Sequence, residues 1–238
     1  MLYNFLFIVI SAIISYIEKI GLEKEIILVS ILALIQLIIL GLTLKIIFSL
    51  GILFSFLLLT LMISAASYLV SKEVKIKNKS KLFLSLFLSY ILTTTTVLFF
   101  LIISKTVSLT PSQIIPLAGM VIGNSMNTAH QTLETLIDKV KTEKEVFLGY
   151  IALGAREIIA LKPFIRTAIR IALIPQINRT KSVGIIFIPG AMVGLILAGA
   201  DPLYAAKIQV VIMWMIIYSS LVVSISICYL MHKDLAKV

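Results

Sequence analysis

Long apolar runs separated by short polar breaks set the pattern of the chain. Runs at about 2–17, 26–44, 46–70, 82–104, 183–199 and 205–230 each approach the roughly 20 apolar residues a helix needs to cross a bilayer. A seventh begins near Pro111, where IIPLAGMVIG is too short to cross alone and runs straight into the polar stretch NSMNTAHQTLETLID. Met120, Asn124, Asn127, Gln131, Glu134 and Asp138 recur there at spacings of 4, 3, 4, 3 and 4, which is one face of a single helix. Ile122, Met126, Ala129, Leu133 and Leu136 hold its other faces. The pattern predicts a helix that crosses with a polar stripe turned to a partner or cavity and then continues into water. Residues 1–238 are therefore expected to form a single all-α integral membrane domain of about seven transmembrane helices, with a cytoplasmic helical segment at about 135–182 between spans five and six.

Composition supports this. Of 238 residues, 60% are hydrophobic and 13% charged, with a mean hydropathy of +1.12, which is not a soluble composition. The formal charge of +10 does not point to nucleic acid, because the basic residues cluster between the apolar runs and match a lipid bilayer instead. SKEVKIKNKSK holds five lysines against one glutamate, nine Lys or Arg lie between Glu134 and Ser182, and the tail MHKDLAKV is basic. With the 18–25 loop, the positive-inside rule puts 18 of the 21 basic residues in the cytoplasm, leaving Lys45, Lys105 and Lys207. Two cytoplasmic regions flanking 82–134 require an even number of crossings between them. The expected topology is an outer N-terminus and a cytoplasmic C-terminus in the plasma (inner) membrane.

Local signals complete the outline. Asp201-Pro202 predicts an N-cap followed by proline at the first helical position. Gly41 and Lys45 suit a tight hairpin between spans two and three. The N-terminal run lacks the basic leader and cleavage site of a signal peptide and is expected to be retained. The single cysteine, Cys228, excludes a disulfide framework.

The chemistry of a self-contained enzyme is not in the sequence. There is no G-x-x-x-x-G-K-[ST], H-E-x-x-H or G-x-S-x-G, so no catalytic residue and no cofactor are assigned to this chain. Spans one to four carry no acidic residue in their interiors, which argues against a proton-coupled carrier.

The 135–182 segment carries the functional signal. Helical runs are expected to break at Pro163 and Pro175. Between them Lys162, Arg166 and Arg170 repeat every four residues opposite Phe164, Ile165, Ala168, Ile169 and Ala172. Such a basic amphipathic element suits either an anionic lipid surface or a cytoplasmic partner. It is framed by LGA at 153–155, with Gly154 and Ala155, and by ALIP at 172–175, ending in Pro175. This frame resembles the cytoplasmic coupling loop of ATP-binding cassette permeases. Pro175 lies 21 residues after Gly154, further than in the commonest importer pattern, and the leading acidic residue and Ala pair are missing.

Taken with GNSMN at 123–127, IRIALIPQIN at 169–178 and KSVGIIFIPGAMVGLILAGADPLYAAKIQV at 181–210, the chain resembles the FetB family of ATP-binding cassette permeases. That family is associated with iron export, its plant relatives are linked to aluminium tolerance, and the longer Gly-to-Pro spacing is usual in it. The resemblance implies a homodimeric permease subunit paired with a separate cytoplasmic P-loop subunit, which would hold ATP and Mg. Iron or another metal ion would be exported. Gly154, Ala155, Lys162, Arg166, Arg170 and Pro175 would then belong to the coupling segment.

Other residues keep two readings each. Met120, Asn124, Asn127 and Gln131 could line a substrate path, but desolvated amides are equally satisfied by interhelical hydrogen bonds. Gly190 and Gly194, which Ala198 extends, form a small-x-x-x-small face after Pro189, suited to close helix packing or to a dimer seam. The competing functions are an ATP-independent channel or secondary carrier, and a membrane scaffold whose basic loop binds lipid.

Overall fold

The computed structural model describes residues 5–236. Every regular element among them is an α-helix, and a single bridge between Val183 and Phe187 is the sole β-type pairing. The chain divides into two compact units, residues 1–51 and 52–238.

The first unit is a helical hairpin of α1 (Leu6–Ile17) and α2 (Glu23–Ser49). α1 ends with Lys19 at φ 53°, and the Lys19 and Ile20 amides return to the carbonyls of Tyr16 and Ser15. That is the usual helix-ending motif with lysine where glycine is favoured. α2 runs unbroken through Gly41, so the turn expected at Gly41 and Lys45 falls at Leu50–Gly51 instead. The reason is conformational: the helical backbone ends where φ reaches +81° at Gly51, whereas Gly41 sits in a strongly apolar run that keeps its helical hydrogen bonds.

The second unit contains α3 (Ile52–Glu73), α4 (Lys79–Ile103), α5 (Pro111–Thr142), α6 (Lys144–Ala152), α7 (Glu157–Ser182), α8 (Gly190–Leu197) and α9 (Pro202–Leu235). α5 is central, with α3, α4, α7 and α9 packed on it. Cross-helix contacts fix the directions. Thr128 meets Ser220 at 3.1 Å and Thr132 meets Ser224 at 2.9 Å, one turn further along both helices, so α5 and α9 run parallel. α4 opposes α9, since Lys81 pairs with Asp234 at one end and Phe100 lies edge-on to Tyr218 further along. α7 opposes α5, with Phe164 stacked edge-on to Phe147 just past the end of α5 and Gln176 beside Asn124.

These directions gather the 72–81 loop, residues 139–156 and Lys233 at one end of the bundle, called here the basic end. Lys79 closes α3 there, its Nζ donating to the carbonyls of Ser71, Lys72 and Val74. Such a cation suits the partial negative charge of a helix C-terminus.

Four helices among the described residues are long and apolar enough to cross a membrane: α2, α3, α4 and α9. α5, at 32 residues, is the single continuous helix its stripe predicts. The expected span at 183–199 does not form: residues 183–189 are a turn and α8 has only 8 residues, about 12 Å long. Pro189 stands at the N-cap of α8. Nor does the chain break at Pro163 or Pro175, because α7 continues through both for 26 residues, about 39 Å. Both prolines lie on its exposed side, and packing of Ala160, Leu161, Phe164, Ile165, Ala168 and Ala172 on the other side outweighs the lost backbone bonds. Residues 157–182 thus return along α5 and do not form a separate loop beyond it.

Candidate functional site

Thr110 in extended backbone and Pro111 at the first helical position start α5, and Pro116 is tolerated in the next turn. Ile122, Ala129, Leu133 and Leu136 are buried on its packed faces, while Asn127, Glu134 and Asp138 are exposed. Met120, Asn124 and Gln131 are half-buried. The stripe read from spacing is thus the outward face of α5.

Two contacts locate that face. Asn124, on one flank of the stripe, accepts a hydrogen bond from Gln176 of α7 at 3.4 Å while its own Nδ2 donates to the Met120 carbonyl at 2.7 Å. On the other flank, His130 faces Glu73 at the end of α3, and Gly119 lies against Met62 of α3. α3 and α7 do not pack on each other. The stripe from Asn124 to Asp138 is therefore the floor of an open groove walled by α3 and α7. On the far side of α5, Thr128 and Thr132 bond to Ser220 and Ser224 and hold this orientation.

A helix that presents amides and carboxylates on an open face in an otherwise apolar bundle must have that face covered by water or protein. The groove can accept a polar solute along its length. No three His, Cys, Asp or Glu side chains converge among the described residues, so the groove contains no ready-made metal cage.

The predicted coupling residues separate. Gly154 and Ala155 form the turn after α6: Gly154 has φ +86°, its amide donates to the Ile151 carbonyl, and the Ala155 amide donates to Tyr150. Leu153 in the same turn is 89% exposed. Lys162, Arg166, Arg170 and Pro175 all lie exposed on α7, with Pro175 adjoining Gln176, level with Asn124. Arg179 and Lys181 continue toward the end of α7 away from the basic end, so they do not belong with the basic-end cluster where charge counting put them.

Gly190 and Gly194 make no close helix approach among the described residues, since a Cβ on either would meet nothing within 4 Å. Gly194 instead borders a cavity of about 380 Å³ with Gln113, Pro116, Tyr204 and Ile208. Sequence spacing missed Gln176, because its amide lies on an apolar face. His130 lies off the stripe, and only the neighbouring α3 makes its position significant.

The fold and groove define an all-α, multi-pass membrane protein with a polar face along one central helix. The chain belongs to the UPF0014 family, described as an uncharacterised protein family, whose model matches residues 1–236. It is 36% identical over 226 residues to the "Probable iron export permease protein FetB" of Escherichia coli, covering 95% of this chain and 87% of that protein. "Protein ALUMINUM SENSITIVE 3" of Arabidopsis thaliana is 32% identical over 227 residues, 94% of this chain and 81% of that one. "UPF0014 membrane protein STAR2" of rice is 34% identical over 220 residues, 91% and 75% of the two chains. No solved structure matches the chain.

Proposed function

We propose that the chain is the membrane-spanning permease subunit of an ATP-binding cassette exporter for iron or another metal ion. The observation that carries this reading is the open polar groove on α5 between α3 and α7, which offers a path across an apolar bundle. The name of the Escherichia coli relative supports the substrate class. ATP and Mg belong to a separate cytoplasmic subunit, and two permease copies close the groove.

The basic end faces the cytoplasm of the plasma membrane in this reading, in accord with the positive-inside rule. Exposed there are α6 with the Leu153–Ala155 turn, followed by Lys162 and Arg166 on the exposed side of α7. This surface seats the ATP-binding subunit. The coupling element therefore centres on 144–166, while Arg170 and Pro175 rise alongside the groove.

The test is ATPase activity of the cognate ATP-binding subunit coexpressed with this chain in proteoliposomes, against Fe(II), Fe(III), Mn(II), Zn(II), Al(III) and organic solutes. Stimulation by one metal is expected. A stable complex with no metal response would discard the metal, and absence of a complex would leave an ATP-independent carrier.

A further inference from the structure

We infer that His130 and Glu73 form a two-ligand transit site for a divalent transition-metal ion at the basic-end mouth of the groove. This inference rests on the transport reading above. His130 Nε2 and Glu73 Oε2 lie 3.5 Å apart as an open ion pair, longer than the usual 2.7–3.2 Å of an N–H···O bond. Two ligands each about 2.1 Å from a tetrahedral ion are separated by about 3.4 Å. The spacing matches that of two ligands on one ion.

Charges of both signs surround the pair. Glu73 is the last residue of α3, at the negative end of the helix dipole, whose carbonyls Lys79 already caps. The two side chains are 37% and 62% exposed, so both can be reached from solvent, and neither has another side-chain hydrogen-bond partner among the described residues. They come from different helices, α5 and α3, and sit where the stripe meets its α3 wall. Asn127 and Gln131 on α5 are the next polar groups along it.

The chemistry narrows the class of ion. Imidazole with carboxylate suits Fe(II), Mn(II), Co(II) and Zn(II), whereas Mg and Ca favour oxygen-only sets. With only two protein ligands the rest of the shell remains water. A transported ion needs such weak holding, because a site that binds too well does not release. Lys72, Lys75 and Lys77 at the same end oppose entry of dications in general, so the chelating pair supplies the local preference.

The test uses Co(II) alone with the full-length chain in detergent, by equilibrium dialysis and visible absorption. One Co(II) per chain is expected, with affinity falling at least tenfold in His130→Ala and in Glu73→Gln. His232→Ala should bind as the parent does, since that ring is engaged by the Tyr229 carbonyl on α9. A second readout needs no variant: Co(II) should slow acylation of His130 by diethylpyrocarbonate, followed by mass spectrometry. Unaltered affinity in either site variant, or an unprotected His130, overturns the site. Loss of ATP-binding partner assembly alongside an intact Co(II) site would sink the permease reading and leave this one standing. ATP-dependent metal transport with an unprotected His130 would do the reverse.

Discussion

Replacing Thr132 with Val tests whether the parallel clamp between α5 and α9 holds the groove face in place. Valine keeps the shape of threonine and removes Oγ1, which contacts Ser224 Oγ at 2.9 Å and donates to the Thr128 carbonyl at 2.7 Å. Each hydroxyl has one proton, and in the variant Ser224 gives its own to the Ser220 carbonyl at 2.8 Å, so no stranded donor is left behind. The cost should therefore approach the net value of one interhelical hydrogen bond. In membrane proteins that averages about 0.6 kcal/mol and reaches about 1.7 kcal/mol. Adding Thr128→Val removes the 3.1 Å contact to Ser220 and should bring the total to about 1–3 kcal/mol. By contrast, Leu133→Ala opens a hole at a fully buried position on the same helix and should cost about 2–5 kcal/mol. The assay is reversible unfolding by SDS from mixed micelles, followed by helical circular dichroism, with a Thr132→Val and Ser224→Ala double-mutant cycle. A coupling energy below about 0.3 kcal/mol, within the usual additivity error, would refute the clamp. So would a Thr132→Val cost as large as that of Leu133→Ala.

Two further outcomes follow from helix ends. Gly154→Ala should destabilise the α6–α7 turn by about 1 kcal/mol, because a Cβ at φ +86° is disfavoured even with open space around it; hydrogen exchange of the Ala155 amide would report it. Asp201→Ala removes the carboxylate that accepts from the Tyr204 amide at 2.9 Å and should cost about 0.5–2 kcal/mol, seen as faster exchange confined to the first turn of α9.

Periodicity and punctuation made a good part of this architecture readable. The stripe on α5 follows from spacing alone, and the start of α9 from Asp201-Pro202, because both depend on residues within one helix. What failed depended on neighbours. Pro163 and Pro175 signal breaks locally, yet the packed face of α7 carries the helix through both. Residues 183–199 are apolar enough to suggest a span, but Gly184 at φ +77° and Pro189 divide them into a turn and a short helix. The groove itself could not be found by counting. It exists because α3 and α7 flank α5 without meeting, and the partners that mark its walls, Gln176 and Glu73, stand 52 and 57 residues from theirs in sequence.

The placement of α7 also bears on how the protein is built. A segment carrying Lys162, Arg166, Arg170 and Arg179 partitions poorly into a bilayer, where a charged side chain at the centre of an isolated helix costs about 2.5–3.5 kcal/mol on insertion scales. Its buried contacts are with α5, already synthesised, and with α9, which follows it in the chain. α7 therefore gains part of its shelter only after α9 has emerged. Membrane assembly of this region is then a concerted step, and the most polar long helix depends for its position on a stretch translated after it.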